Sequence, residues 1–337
     1  MSIIRAIFEH TIGRLYYLPI LRHSYVSRKR IFRPLYRRLL DEKPCSVEPK
    51  EKTVIYMSKP ETTFCGGLSD RLRGITAIYQ ECKREGIAFK VNMENPVLAD
   101  YLRPNEYDWT LKKGEIDYDM KRVYPCTILT YHPYDDDKEK DVQHKILRYF
   151  IKKPYDQIHV YSNMKISDEA YGRCFHELFR PSDELQNALD YHLNRIGGKQ
   201  SYISCTFRFR QLLGDFKEGG ETLSAQQREP YIQRCIKTVE HLHEMHPCTI
   251  LVTSDSVTFL DRIKALHYVY IIPGKVVHMG FTFDASKQTH MKSFVDYFML
   301  SYARTVYLVR DSLMYHSGFP LRAALLNGAE YKEIELK

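Results

Sequence analysis

Residues 202–220 read Tyr-Ile-Ser-Cys-Thr-Phe-Arg-Phe-Arg-Gln-Leu-Leu-Gly-Asp-Phe-Lys-Glu-Gly-Gly. Tyr202 to Phe207 has the composition of a strand buried on both faces, and such a strand needs helices above and below it. The chain downstream supplies them: helix Pro230 to His246, strand Thr249 to Thr253, helix Ser256 to Leu266, strand Tyr268 to Ile272, helix Met291 to Tyr302, strand Thr305 to Val309, helix Phe319 to Leu326 and strand Tyr331 to Leu336. Pro230 reads as a first-turn residue, and Ile232, Cys235, Ile236, Val239 and Leu242 keep one apolar face behind it. Strand and helix alternating in this way predict an α/β fold. Its parallel sheet is covered on both sides, and its ligands bind beyond the carboxyl ends of the strands.

The same reading applied upstream predicts a strand at Thr53 to Ser58. A helix follows from Ser69 to Gly86, capped by Ser69, with Leu72, Ile75, Ile78, Tyr79 and Cys82 on one face. Further strands are expected at Ala88 to Met93, Val123 to Tyr131 and Gln157 to Ser162. Helices are expected around Lys138 to Ile151 and in two stretches ending near Gly197-Gly198. That Gly-Gly pair is the expected domain boundary. The polar, proline-containing run Lys43 to Lys52 reads as a linker. The resulting division is an arm and linker at 1–52, a first Rossmann-like domain at 53–198 and a second at 199–337.

The whole chain has 337 residues, 44% hydrophobic and 27% charged, enough for two ordinary domains. A mean hydropathy of −0.43 excludes a polytopic membrane protein. The net charge of +8 is not spread over the body. Residues 1–40 hold nine Lys or Arg against Glu9 alone, and the remaining 297 residues balance at 41 against 41. A neutral body with a basic arm argues against a nucleic-acid-binding face and for an anionic surface met by the arm. Ile3, Ile4, Ile7, Phe8, Ile12, Leu15, Tyr16 and Leu18, then Ile31, Phe32, Leu35, Tyr36, Leu39 and Leu40, make the arm amphipathic. The preferred reading is contact with an anionic membrane through residues 1–40, on the cytoplasmic side of the plasma membrane; a helix docked on the protein's own body carries the same signature. Arg5, Glu9, Arg14 and Arg22 interrupt any signal-peptide core. Eight cysteines without a C-x-x-C or a short pair indicate neither zinc nor a disulfide framework, and suggest buried thiols in a reducing compartment.

Three strand ends carry chemistry. Gly66-Gly67-Leu68-Ser69-Asp70-Arg71 is a glycine turn running into a helix start, where backbone N–H groups approach an anion closely. It is also what a plain structural turn looks like. Arg208 and Arg210, at i and i+2, leave their strand tip on one side, and their guanidinium forks suit a diphosphate; a salt bridge from Arg210 to Asp215 or Glu218 is the structural alternative. Ser254 and Asp255 follow the next strand, and Ser317, Gly318 and Phe319 open the last helix. Hydroxyls, an acid and free N–H groups there suit a nucleotide, although each serine alone could be an ordinary cap. Lys275 and His278, past the strand ending near Ile272, are further candidates.

Other constellations are weaker. His243-Glu244-Met245-His246 is one residue short of a helical zinc motif. Asp117-Tyr118-Asp119 and Asp135-Asp136-Asp137 lie in charged, loop-like stretches and are not read as metal sites. Trp109, with Tyr107 and Tyr101, reads as core in preference to a sugar-stacking patch.

Taken together, the glycine turn, the apolar strand ending in arginine, the Ser-Asp after the next strand and the late Ser-Gly-Phe resemble the fucosyltransferase superfamily. The run F-R-F-x-x-L-L-G-D-F and the ending S-G-F-P are similar to bacterial fucosyltransferase-like proteins of surface-polysaccharide clusters, over about residues 53–337. The resemblance implies a GT-B fold of two Rossmann-like domains facing a cleft, with GDP-fucose as donor and no metal or other cofactor. Arg208 matches the arginine that neutralises the leaving diphosphate. Asp255 matches the acid near the guanosine, Ser317, Gly318 and Phe319 match the motif near the phosphates, and Gly67, Ser69 and Asp70 match the first-domain loop. The chain departs from the pattern at Thr206, where many members have His, and at Asp70, where others have Asn.

Transfer with inversion needs a stabilised leaving diphosphate and a base for the acceptor hydroxyl. Arg208 fits the first role, and Asp215, Glu218 and Asp70 are candidates for the second, with Asp215 nearest the arginines in the chain. The expected partners are a GDP-sugar and a glycan or lipid-linked glycan acceptor of capsule or O-antigen synthesis, with no nucleic acid. A transferase for another nucleotide sugar, or a non-catalytic scaffold docked on a membrane, would share the same shell.

Overall fold

The computed structural model describes residues 18–43, 45–46, 51–59, 62, 66–94, 96–130, 137–215, 221–274, 276, 279 and 286–336. It resolves into two compact units. The first contains Met1–Leu98, Pro104–Arg180 and Met279–Phe283; the second contains Ala99–Arg103, Pro181–His278 and Asp284–Lys337.

In the first unit, β1 (Thr53–Ser58), β2 (Ala88–Met93), β3 (Val123–Ile128) and β4 (Gln157–Ser162) form one sheet in the order β2-β1-β4-β3. Every pairing is parallel. Central β1 and β4 are buried along their whole length, whereas edge strand β2 alternates, as expected when one flank lacks a neighbour. Helix α1 (Arg33–Glu42) precedes the sheet, and α2 (Leu68–Glu85), α3 (Asp137–Ile151) and α4 (Asp168–Leu178) connect or follow its strands. Helix α2 starts at Leu68, not Ser69, with extended Gly67 as its N-cap and no side-chain cap. Trp109 is core: its Nε1 donates to the Leu178 carbonyl at 2.8 Å and its ring meets Phe179 edge-on.

The second unit places β5 (Ile203–Phe207) at the centre, with β6 (Ile250–Ser254) and β7 (Val269–Tyr270) on one side and β8 (Thr305–Arg310) and β9 (Glu330–Glu335) on the other, giving β9-β8-β5-β6-β7. These pairings are parallel too. Its helices are α5 (Asp183–Ile196), α6 (Ala225–Met245), α7 (Val257–Ile263), α8 (Lys287–Ser301) and α9 (Phe319–Asn327). Helix α8 is buried on all sides from His290 to Ser301, and both α5 and α9 pack against it.

Two boundaries differ from the sequence reading. Helix α5 belongs to the second unit, so the division falls at Arg180/Pro181, and Gly197 is only the left-handed C-cap of that helix. Leu185, Leu189, Leu193 and Ile196 point its apolar face at its own unit, a choice that local sequence does not encode. Helix α6 begins at Ala225, with a capping box between Ser224 and Gln227 that satisfies its first N–H groups, so Pro230 lies inside the helix and does not open it.

The arm is also different. Residues 18–42 form one helical stretch whose inner face, Ile20, Ser24, Ser27, Phe32, Leu35, Tyr36 and Leu39, is buried in the first unit. Phe32 stacks on Tyr161 at 4.5 Å, and Ser24 Oγ accepts the N–H of Thr127 on edge strand β3. Tyr36 donates to Nδ1 of buried His159, whose Nε2–H donates to Gln157. The helix thereby covers an edge that would otherwise offer open strand groups. Its wide turn at Arg28–Phe32, where the Arg33 N–H reaches back to the Arg28 carbonyl, accommodates Pro34. Of the apolar residues expected at a membrane, Phe32, Leu35, Tyr36 and Leu39 are spent on the protein's own body, whereas Leu18 is exposed; residues 1–17 lie outside the described residues. Among the described residues no helix is long and apolar enough to cross a membrane.

Candidate functional site

In the second sheet the strand order reverses between β5 and β8, and a doubly wound sheet opens its ligand crevice at such a point. The two loops there are Arg208–Asp215, after β5, and Asp311–Gly318, after β8. They are tied together, the Tyr315 N–H donating to the Arg208 carbonyl at 3.0 Å.

The first loop is held by its own apolar residues. Phe209, Leu212 and Leu213 are buried in the unit's core, with Phe209 beside Phe207 and Phe259. Pinning every apolar side chain inward leaves Arg208 and Arg210 half-buried on the other side of the turn. Arg210 has a φ of +55° and lies over the Tyr315 ring at 5.3 Å.

Asp255, just past β6, is buried beneath this loop. Its Oδ1 accepts the Phe209 N–H at 2.8 Å, and its Oδ2 accepts the Arg210 N–H at 2.7 Å and Arg208 Nη1 at 2.8 Å. Burial pushes its carboxyl up, against the pull of Arg208 and of the two N–H groups. The structure thus places Asp255 as a strut that aims Arg208, with both oxygens engaged. Ser254 accepts from the Ser256 N–H, and Thr206 and Thr253 share a hydrogen bond at 2.9 Å.

Asp215 has a similar structural duty. Its carboxylate accepts from Ser256 Oγ, from the Thr258 N–H at 3.0 Å and from Thr258 Oγ1 at 2.7 Å, so it caps the start of α7. These donors occupy the carboxylate nominated as base. Across the switch point, Ser317 Oγ accepts the Phe319 N–H, Gly318 is the N-cap of α9, and Phe319 packs edge-on against Tyr297. A Cβ on Gly318 would meet nothing within 4 Å. Lys275, His278 and Glu218 lie outside the described residues.

The first sheet has its own reversal, between β1 and β4, and the Gly66-Gly67 turn follows β1. Gly66 has a φ of +68°, and a Cβ there would lie 2.5 Å from Asp70 Oδ2, so only glycine fits. Gly74 lets α2 approach β4, since its Cβ would lie 2.3 Å from the Ser162 carbonyl. Ser69 and Asp70 occupy the first turn of α2, and Asp70, 42% exposed, pairs with Arg73 at 3.1 Å.

Three features escaped the sequence reading. Arg71 is buried and donates to the Gly66 carbonyl at 2.9 Å, to Ser58 Oγ at 2.6 Å and to the Met279 carbonyl at 3.1 Å. It fastens the glycine turn to the end of β1 and to the segment that returns to this unit. The available signal was an arginine on the apolar stripe of Leu68, Leu72 and Ile75. Glu94, just past β2, has Oε1 2.5 Å from buried Lys59 and 3.3 Å from Asn92. Burial raises its carboxyl, but these donors outweigh it and hold it below the usual carboxylate range. No periodicity marks such a residue. Lys292 binds both oxygens of Asp296 at 2.5 Å inside α8 and packs beneath Gly274; an i, i+4 ion pair in an apolar helix was legible.

The remaining constellations have ordinary duties. His243 stacks on Tyr268, and His246 bonds the Tyr307 hydroxyl. Asp117 holds Arg122, and Asp137 opens α3, while Asp135 and Asp136 lie outside the described residues. Among the described residues no cluster of three or more His, Cys, Asp or Glu is arranged to hold a metal ion, and seven cysteines are free thiols.

No family model matches the chain, and no curated protein matches its sequence. Solved structures do match its fold. It is similar to the α-1,6-fucosyltransferase NodZ of Bradyrhizobium, solved among other states after soaking with GDP-fucose, at 14% identity and a TM-score of 0.51 over 82% of this chain and 93% of that one. It is also similar to Arabidopsis thaliana FUT1 in complex with GDP, at 12% identity and a TM-score of 0.56 over 95% of this chain and 78% of that one. At these identities the likeness is one of architecture: the chain has the α/β fold of GT-B-type fucosyltransferases, with a parallel sheet in each unit.

Proposed function

We propose that the protein is a glycosyltransferase that moves L-fucose from GDP-fucose to a glycan or lipid-linked glycan acceptor in surface-polysaccharide synthesis, in the cytoplasm beside the plasma membrane. The observation that carries this reading is Arg208: it leaves β5 at the switch point of the second sheet, aimed by buried Asp255 and linked through its carbonyl to the loop that ends in Ser317-Gly318. Support also comes from the fold shared with fucosyltransferases whose structures were solved with GDP or GDP-fucose.

In this reading the anomeric C–O bond to the diphosphate breaks and GDP leaves with the electron pair. Arg208 takes up the charge that develops, a role worth most where water is excluded. No metal is invoked for that charge. The acceptor oxygen bonds to the anomeric carbon from the opposite face and gives up its proton. Asp70 is the preferred base over Asp215, because Asp215 is occupied as a helix cap and Asp70 stands partly exposed beside the glycine turn.

The test is a thermal-shift panel of GDP, UDP, CMP, GDP-fucose and GDP-mannose on wild type and Arg208→Ala. A ligand at 100 times its dissociation constant stabilises by about 2.7 kcal/mol. Stabilisation by GDP and GDP-fucose that disappears in the variant supports the reading, a response to another nucleotide reassigns the donor, and silence throughout favours a non-catalytic scaffold.

A further inference from the structure

The helical stretch 18–42 has two faces, and the structure gives them opposite duties. The inner face is consumed by the first unit, through Phe32 against Tyr161, Ser24 on the N–H of Thr127 and Tyr36 on His159. The outer face is exposed at Arg22, Lys29, Arg30, Arg33 and Arg37, recurring at helical intervals. Within the stretch acidic residues occur only at its end, Asp41 and Glu42, the latter 3.7 Å from Arg38. Leu18, Tyr25 and Val26 are exposed at the same end, 65%, 68% and 37% accessible.

From this arrangement we propose that the outer face of the docked helix is a preorganised cationic stripe that binds anionic phospholipid headgroups, and that Leu18, Tyr25 and Val26 add a shallow apolar contact at its end. It deepens the membrane location in the functional reading above and differs in mode from an inserted amphipathic helix, since the large apolar face is already buried. The charge is on a helix pinned by buried hydrogen bonds, so little conformational freedom is lost on binding. The body is neutral overall, so the attraction is localised and orients the protein on the surface.

The experiment is co-sedimentation of the full chain with phosphatidylcholine vesicles, with and without about one third phosphatidylglycerol, at low salt and at about 0.5 M salt. The comparison variant is Arg22→Gln, Lys29→Gln, Arg33→Gln, which keeps good helix formers at three exposed positions. Wild type is expected to bind only the anionic vesicles and to release at high salt. The triple variant should bind roughly a hundred-fold more weakly, at about five-fold per cation. Equal binding to pure phosphatidylcholine, unchanged binding by the variant, or preferential capture of duplex DNA added as competitor would each overturn the stripe. The same variant is run in the nucleotide panel: a retained GDP response shows that the fold is intact, and a wild type silent to all nucleotides but bound to anionic vesicles would sink the transferase reading while leaving the stripe standing.

Discussion

Asp255 stands beneath Arg208, with Oδ2 2.8 Å from the guanidinium Nη1, while the same carboxylate accepts the N–H groups of Phe209 and Arg210. One buried acid thus sets both the backbone of the loop and the direction of its arginine. Asp255→Asn presents an amide N–H₂ to donors and leaves at least one of them unmet. A loss of about 2 to 4 kcal/mol in stability is expected, as for breaking a buried pair, together with weaker GDP binding. Denaturant unfolding and GDP titration check it. Arg208→Lys, which keeps the charge without the fork, should preserve the fold and weaken GDP by more than about ten-fold.

Asp215 and Asp70 separate by what their replacement disturbs. Asp215→Ala removes the acceptor for Thr258 and Ser256 at the start of α7 and should cost about 1 kcal/mol of stability. Asp70→Asn should leave stability nearly unchanged, because its pairing with Arg73 is partly exposed, yet cut turnover by about a hundred-fold or more. Melting temperature and transfer rate, measured on both variants, decide between them. A fully active Asp70→Asn would end its candidacy as base.

Two glycines should answer oppositely to the same substitution. Gly66→Ala places a Cβ 2.5 Å from Asp70 at a left-handed φ, so expression and stability should suffer. Gly318→Ala meets no neighbouring atom and its backbone conformation suits alanine, so stability should hold. In the proposed site this turn lies beside the diphosphate, so the added methyl should raise the dissociation constant for GDP several-fold. Calorimetry on the two variants provides both readings.

His159 gives the fold a pH signature. Burial pulls its imidazole down to about 3, and it stays neutral in the native protein as acceptor from Tyr36 and donor to Gln157. The unfolded chain takes up a proton near the ordinary histidine value of about 6.5, the native state does not, and the stability due to this residue falls as pH drops from about 6.5 toward 3. The slope is about 1.4 kcal/mol per pH unit. A His159→Leu variant should be less stable at neutral pH but show a shallower acid slope between pH 6 and 5, which unfolding at a series of pH values would reveal. Glu81, held low by His144 and Arg148 against the opposing effect of burial, loses its stabilisation only further down, within the carboxylate range.

The strands at Thr53–Ser58, Ala88–Met93 and Gln157–Ser162 were legible to the residue, because a strand buried on one or both faces leaves an apolar signature in every window. The alternation of elements gave away the parallel sheets, and Arg208, the Gly66 turn and Ser317-Gly318 lie in loops that follow strands at the two reversals of order. Composition also showed that the whole net charge sits in the first forty residues.

Only the tertiary structure decided what those residues do. Asp255 read as an acid near the nucleotide and Asp215 as a candidate base, and partners more than forty positions away in the chain engage the oxygens of both. Gly197-Gly198 read as the domain boundary until α5 chose the second unit, and the apolar residues Phe32 to Leu39 read as membrane-seeking until the first unit covered them. Local sequence determines conformation through propensity and periodicity, which act over a few residues. Which face meets which, and whether a carboxylate is a strut or a base, depends on contacts between distant segments that no window of sequence contains.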